Sequence, residues 1–486
     1  MKRIALFILV GILVINSCGK RSSAPVEIVD ELGSLNLALD LSKAPAEVVD
    51  ITGYLTRVGF DTTFLNFTIL DESASCFREN LVHGEWSLTV DALNSDGIVY
   101  YTGSTTLEII PGQTQEVSLT LNPTTGSLEI DITWGFNIDG LRFSAGDVFA
   151  VGSDPLSVIN ADLDQDSDLD VVVANYQSHS ITIFENDGDG NLSPIQTFMA
   201  GYHPADLLAE NLDGQGPLEI VVVNYDINYE GVTFLNYDSS SEEYVVSQFI
   251  TTAKGPKAIQ SGDLDGDGDL DLALGVRNEG KFSTLINDGQ GVFSLESTIN
   301  TGGMVGSTAC ADFDGDLDID VAITTTGTNQ LLLYLNDGAA NFTLDQTYAL
   351  NDECWDVVTN DIDNDNDMDL IVCLIETDQV TLLFNNGNAT FFEFASYATG
   401  AEPMSISVGD FNNDNDLDFA VANKASGDIN FFCNSDNQSF YLAYTHTLAS
   451  GLRDICAGDL DGDSYLDVLA VNKDTNQFSI LINQVP

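Results

Sequence analysis

An acidic nine-residue segment recurs along this chain at nearly constant spacing. Its copies begin at Asp162, Asn211, Asp263, Asp312, Asp361, Asp410 and Asp459, so the steps between them are 49, 52, 49, 49, 49 and 49 residues. A period of this size marks a repeat architecture in which each copy is one supersecondary unit that buries its apolar face on its neighbours. In each copy an apolar stretch leads into the acidic segment and a second strand-like run leaves it, as from Leu169 to Asn175 or Leu270 to Gly275. A third run, such as Ser180 to Phe184, ends in Asn-Asp-Gly at 186–188, 287–289 and 336–338. That tripeptide tolerates φ > 0 and so closes a tight hairpin into a fourth run.

Four antiparallel strands per copy, seven copies and no helical period predict an all-β fold, a seven-bladed β-propeller over residues 142–486. The last copy stops after its third run, Phe478 to Ile482. Phe143-Ser144, Phe149, Gly152 and Pro155 stand 49 residues before Leu192-Ser193, Phe198, Gly201 and Pro204. Segment 143–152 is therefore expected to close the last blade and cover two open sheet edges. Upstream, strand-like runs at 35–41, 48–55, 64–70, 86–93, 98–101, 105–110, 117–121 and 128–134 predict a small β-sandwich over 33–134, immunoglobulin-like or transthyretin-like. Its expected role is that of a spacer.

Met1-Lys2-Arg3 followed by an apolar run from Ile4 to Ile15 reads as a signal peptide, residues 1–17, too short to span a bilayer comfortably. Ile15-Asn16-Ser17-Cys18-Gly19 resembles a bacterial lipobox, with Asn16 departing from the usual small residue and a plain cleaved signal as the alternative. Cys18 is then the lipidated residue, 18–32 a tether, and the expected location is beyond the bacterial inner membrane, at the outer membrane or cell surface, held by the lipid anchor alone. The remaining cysteines, Cys76, Cys310, Cys354, Cys373, Cys433 and Cys456, have no CxxC spacing and mostly sit in apolar runs, so they read as buried free thiols. None of the four histidines stands at zinc-ligand spacing from a cysteine.

Fifteen Lys and Arg against 76 Asp and Glu give a net charge of −61, which excludes a nucleic-acid partner. With 44% apolar residues and 19% charged, the chain has enough apolar surface to fold. Thirty of the acidic residues lie in the seven recurring segments. Aspartates at alternate positions of a nine-residue turn surround one point with hard oxygens, which suits calcium. The candidate ligands are Asp162, Asp164, Asp166, Asp168 and Asp170 in the first turn; Asp263, Asp265, Asp267, Asp269 and Asp271 in the third; and Asp312, Asp314, Asp316, Asp318 and Asp320 in the fourth. They continue with Asp361, Asp363, Asp365, Asp367 and Asp369 in the fifth, Asp410, Asn412, Asp414, Asp416 and Asp418 in the sixth, and Asp459, Asp461, Asp463 and Asp467 in the seventh. Position seven offers its backbone carbonyl, so Tyr465 there is no obstacle. The second turn, Asn211, Asp213, Gln215, Pro217 and Glu219, has only two charged ligands and is expected to be weak or empty, leaving about six calcium sites. Leu163 with Leu169 and Phe313 with Ile319 are expected to pin their turns to the core from both sides.

The turns are not EF-hands, since the twelfth residue from Asp263 is Leu274 and strands flank the loop. The chain here resembles the FG-GAP/VCBS repeat family, the calcium-loop propellers that include the integrin α-subunit head, over about 345 of its 486 residues. The resemblance implies structural calcium on the underside of each blade.

In such a blade the 1–2 and 3–4 turns share one face, and the 2–3 and 4–1 connections the other. Of Arg142, Lys254, Lys257, Arg277, Lys281, Lys424, Arg453 and Lys473, all but Arg142 fall in or beside the second set, with Tyr176, His179, Tyr202, His203, Tyr225 and Trp355. Tyr202, His203, Lys254, Arg277, Trp355 and Arg453 are the candidate ligand-binding residues for an acidic or sugar-like partner. The expected function is non-catalytic binding or adhesion to a protein or glycan that the sequence does not identify. The alternative is a carbohydrate-active enzyme of lyase type, or a lectin, for which His203 with Arg453 is the one conceivable catalytic pair. No catalytic residue is assigned.

Overall fold

The structure is a computed structural model. It describes residues 32–40, 50–57, 60, 62–70, 73–82, 84–93, 99–109, 114–122, 127–131 and 141–484 apart from 227–229, 351 and 436–438. The expected signal peptide and Cys18 lie outside the described residues.

The repeat becomes seven four-stranded antiparallel sheets, and no helix occurs among the described residues. Sheets one to six follow one another at 155–198, 204–251, 256–300, 304–349, 354–398 and 403–447. The seventh takes three strands from 452–483 and its fourth from Phe143–Ala150, with Phe143 opposite Asn483 and Ala150 opposite Gln477. First strands of successive sheets lie side by side, and the ring closes where Leu452–Gly458 meets Pro155–Ala161. This is a β-propeller, with the sheets as blades.

Burial explains why the strands read so differently. Every second strand is buried at each of its positions, so Val171-Val172-Val173-Ala174 is an unbroken apolar run with no period. Fourth strands, such as Leu192–Phe198, sit outermost and are mostly open to solvent. The core lies between blades. Val171, Val173 and Phe184 of blade one pack on Leu469, Val471 and Phe478 of blade seven. The closing strand contributes Phe149, stacked on Phe478 at 4.9 Å, and Phe143, stacked on Phe431 of blade six at 4.1 Å.

One irregularity recurs in all seven blades. At the end farthest from the acidic turn, the first strand slips out of register with the second. The unpaired residues are Leu156, Ala205, Lys257, Gly306 with Ser307, Trp355 with Asp356, Met404 and Arg453. A bulge of this kind frees a side chain from the ladder and re-aims it.

Residues 32–131 form a five-stranded and a four-stranded sheet. Three strand assignments differ from the sequence expectation. The run expected at 64–70 is split into Thr63–Asn66 and Thr68–Leu70, which belong to different sheets. Ser73–Val82 is a full strand, central in pairing with Leu32–Asp40, although its polar composition carries no apolar alternation. Val99–Ile109 is one strand where two were expected, because Gly103 and Ser104 interrupt the apolar pattern without interrupting the ladder to Gly84–Leu93.

Phe143 is 6% exposed and joins three strands of two blades. Phe143→Ala is expected to cost about 3–5 kcal/mol, read as a lower thermal midpoint. Val148→Ala, at a position 53% exposed on the same strand, should leave the midpoint in place. Equal midpoints for the two variants would contradict closure by this strand.

Candidate metal-binding turns and an axial cavity

Each acidic turn is held by its last residue. Asp320 Oδ2 accepts the backbone N–H of Phe313 at 3.0 Å, and its Oδ1 accepts that of Asn336 at 2.9 Å, so one buried carboxylate joins the start of the turn to the end of the third strand. Asp170, Asp271, Asp369, Asp418 and Asp467 make the same pair of bonds in their own blades. The first residue caps the middle: Asp312 Oδ1 accepts from Gly315 and Oδ2 from Leu317. Positions four and six take positive φ throughout, which is why Gly, Asn, Ser and Gln occupy them. Leu317 is the exception, at φ 77° and 86% exposed.

The carboxylates of positions one, three and five then converge. Oxygens of Asp162, Asp164 and Asp166, of Asp312, Asp314 and Asp316, and of Asp361, Asp363 and Asp365 lie within 4.8 Å of one another. In turns three and seven the group is Asp263, Asp265 and Asp271, and Asp459, Asp461 and Asp467. All the donors are hard oxygens, and Asp162 Oδ1 is buried without a hydrogen-bond partner, so the residues present fit a metal ion.

Above the turns, the Asn at the end of each third strand ties blade to blade. Asn336 Nδ2 donates to Leu264 O of the preceding blade at 2.8 Å. Asn186, Asn287, Asn385, Asn434 and Asn483 do the same to Leu460, Leu212, Phe313, Ile362 and Phe411. Blade two breaks the pattern. Its longer Glu219 draws the Asn236 amide onto its own Oε1, and the Tyr244 hydroxyl bonds Leu163 O instead, at 3.3 Å.

At the opposite end, the bulge residues of all seven blades line one cavity of about 330 Å³, where the first strands surround the axis. A second ring of bonds closes the blades here. Asp206 accepts from Ser157 Oγ and Ile259 N, and Asp454 from Ser405 Oγ and Val158 N. Asp356 accepts from Ile406 N, and Lys257 Nζ donates to Gly306 O at 2.6 Å. Lys257 and Arg277 both lie over the Trp355 ring, at 4.2 and 4.5 Å from its centroid. Burial raises the Asp206 carboxyl to about 7 and Asp454 to about 6, and lowers the Lys257 ammonium to about 8.

A family model described as an FG-GAP-like repeat matches residues 162–222, 263–323, 312–372, 371–421 and 410–470, together more than half of the chain. The chain belongs to the FG-GAP-like repeat family. Among solved structures it is similar to BBS1N, crystallised in complex with ARL6DN, at 10% identity and TM-score 0.54, covering 71% of this chain and 97% of that one. It is also similar to a protein of Bacteroides uniformis ATCC 8492 provisionally named a 6-phosphogluconolactonase, at 11% identity and TM-score 0.51, covering 68% and 95%. At these identities the likeness is one of fold. Among curated proteins none is significantly similar in sequence.

The FG-GAP-like turns place the expected ligands unequally. Asp168, Asp269, Asp318 and Asp367, at position seven, stay outside the converging groups. They press against the glycine of the following Asn-Asp-Gly or Asn-Gly hairpin, where a Cβ on Gly338 would come within 2.6 Å of Asp318 and one on Gly387 within 2.5 Å of Asp367. Asp416, at the same position, accepts from Asn364 of the neighbouring turn at 3.4 Å. Asp267, Asp369, Asp320 and Asp170 also fall outside their turns' groups. In turn six Asn412 donates to Asp414 while its own oxygen receives the Asp414 N–H. Turn two forms no carboxylate group among the described residues, and Glu219 Oε2 is held by Leu212 N and Asp213 N. Burial and the crowding of carboxylates raise the final aspartates, Asp170 and Asp271 to about 6, Asp320, Asp369 and Asp467 to about 7 and Asp418 to about 8.

Of the expected ligand-face residues, Arg277, Trp355 and Arg453 line the cavity together with Tyr176 and Tyr225. Tyr202, His203 and Lys254 do not. His203 Nδ1 pairs with Asp226 at 3.0 Å and its ring lies 4.5 Å from that of Tyr176, so the structure does not bring His203 into one cavity with Arg453. Lys257 and the three aspartates of the axial ring also line the cavity, without having been among the expected ligand-face residues; the 49-residue spacing of Asp356 from Ser307 and Ser405 is the sequence signal for the ring. The six described cysteines are free thiols.

Measured in chelator, Asp320→Ala orphans two buried N–H groups and should cost about 2–5 kcal/mol. Asp318→Ala, which holds nothing of the turn in place, should leave the thermal midpoint unchanged or raise it by relieving repulsion from Asp316 and Asp312. A larger loss in Asp318→Ala than in Asp320→Ala would contradict this division of roles.

Proposed function

We infer that this protein is a non-catalytic binding or adhesion propeller whose acidic turns are stabilised by calcium, tethered at a bacterial surface through lipid on Cys18, and that its ligand is a protein or glycan met by the face opposite the turns. The observation that carries the reading is the fivefold recurrence of three carboxylates whose oxygens come within 4.8 Å, in turns that contain no lysine or arginine. Such groups repel one another until a divalent cation neutralises them. Calcium suits them because it accepts six to eight oxygens in flexible geometry, whereas magnesium demands a near-ideal octahedron. Membership of the FG-GAP-like repeat family supports the same reading. So does the gathering of cations and aromatic rings at the far face, in a chain with so few cations.

The test is a thermal melt of the protein with calcium, with magnesium and with chelator. For sites of about 10⁻⁴–10⁻³ M, calcium near 10 mM should add about 1.4–2.7 kcal/mol per filled site. The melting midpoint should rise in calcium and much less in magnesium. A midpoint that ignores calcium would falsify the calcium part of the proposal. A glycan and protein array probed with and without calcium then identifies the ligand class, and turnover of any carbohydrate on it would contradict the non-catalytic reading.

A further inference from the structure

The cavity at the mouth of the axial channel shows a contrast that the scaffold does not require. Its seven bulge positions are equivalent by the repeat, yet they hold Leu156, Ala205, Lys257, Gly306, Trp355, Met404 and Arg453, seven different residue types. The positions that follow them hold only Ser, Asp and Ala. The scaffold constrains the second ring and leaves the first free to differ.

Charge pairing on this face of the propeller is equally uneven. Lys281, Lys424 and Lys473 each find a carboxylate within 4.0 Å, in Glu279, Glu402 and Asp474. Lys257, Arg277 and Arg453 form no such ion pair among the described residues, although the chain carries 76 acidic residues. Four of those acids line the same cavity: Asp154, whose charge acts on Arg453, and Asp206, Asp356 and Asp454, whose oxygens are occupied. Asp206, Asp356 and Asp454 each accept the N–H of the residue that follows and an N–H of the next blade. Ser157, Ser307 and Ser405 supply hydroxyl bonds to the same three. The guanidinium groups are the opposite case. Each has five N–H donors; Arg277 places one, at 3.4 Å on Val305 O, and Arg453 Nε is buried with no partner. Around Arg277 and Arg453 the unmet hydrogen-bonding capacity is that of donors, and positively charged ones.

We propose that this cavity is a binding site for a small ligand carrying one oxyanion group, a carboxylate or a sulfate, which Arg277 and Arg453 hold with Lys257 while Trp355 and Tyr176 form its apolar wall. The site rests on the binding-face reading above and narrows it to one chemistry. A ligand of single-sugar size fits its volume of about 330 Å³. Arginine is the residue suited to such a group, because its planar fork meets two oxygens at once. The cations reach the cavity by two routes, Lys257 and Arg453 on bulges and Arg277 just after the second strand of blade three.

The test is calorimetry on the calcium-loaded full chain at constant ionic strength, with glucuronate, a sulfated glucose and plain glucose as probes. These share a sugar body and differ only in the oxyanion. At least one anionic sugar should bind, roughly tenfold or more tighter than glucose, and Arg277→Gln with Arg453→Gln should weaken it by a similar factor. Preference between glucuronate and the sulfated sugar tells carboxylate from sulfate. The double variant must keep the calcium-dependent melt of the unaltered protein, which separates a lost site from a lost fold. If it does not, Lys257→Met replaces it as the test variant, with the same loss expected. Equal binding of all three sugars, binding of none, or undiminished affinity in the variants would overturn the proposal. A protein that melts higher in calcium but ignores both anionic sugars loses this cavity assignment alone. One that binds them without any calcium response loses the calcium reading alone.

Discussion

Everything on the underside of this propeller hangs on a buried carboxylate with two backbone N–H groups to satisfy. The aspartate that ends each acidic turn bonds the start of the turn through one oxygen and the end of the third strand through the other. With those two points fixed, three carboxylates of the turn converge in five blades, at positions one, three and five in three of them, and the third-strand Asn is left aimed at the neighbouring blade. One methylene shows how tight the arrangement is. Where Glu219 replaces the aspartate, the Asn236 amide is diverted and a tyrosine from the outer strand takes over the tie. The same bond network therefore both positions the turn's carboxylates and joins adjacent blades.

A ring of sheets must be tied at two levels or its blades can splay. Here the lower tie is the Asn ring beside the turns, and the upper one is the Asp and Ser ring around the axis. Both use groups that are buried and hydrogen-bonded between blades, where each bond is worth more than at the surface. The axial ring has a second effect. It occupies the oxygens of Asp206, Asp356 and Asp454, and the neighbouring Lys257, Arg277 and Arg453 form no ion pair within 4.0 Å among the described residues. Adjacent residues of the same strand thus differ in role: the one after the bulge ties blades together, and the bulge residue is free to face the cavity.

Much of this was legible in the sequence. The spacing of the acidic segments located the sheets, and the offset of Phe149 from Phe198 matched the strand that now pairs with Gln477–Asn483. The roles within the turn were less legible. Asp316 and Asp318 are the same letter two places apart, and only the hairpin glycine that packs against Asp318 distinguishes them. Likewise Asn336 reads as a turn residue, whereas its amide is spent on another blade seventy-two positions away. The bulges leave no mark on composition, so the sequence places Lys257 and Trp355 only in or beside the connections; strand register turns them onto the axis. Ser73–Val82 was missed for a related reason, since it owes its conformation to pairing and not to its own pattern.

The central claim is that each acidic turn but the second is a separate site assembled by its own blade. Counting calcium ions on the intact chain by native mass spectrometry tests it most directly. The account predicts about six ions on the unaltered chain, none of them in turn two, and one fewer on an Asp314→Ala chain. A chain that carries no calcium, or an Asp314→Ala chain that carries as many ions as its parent, would contradict it.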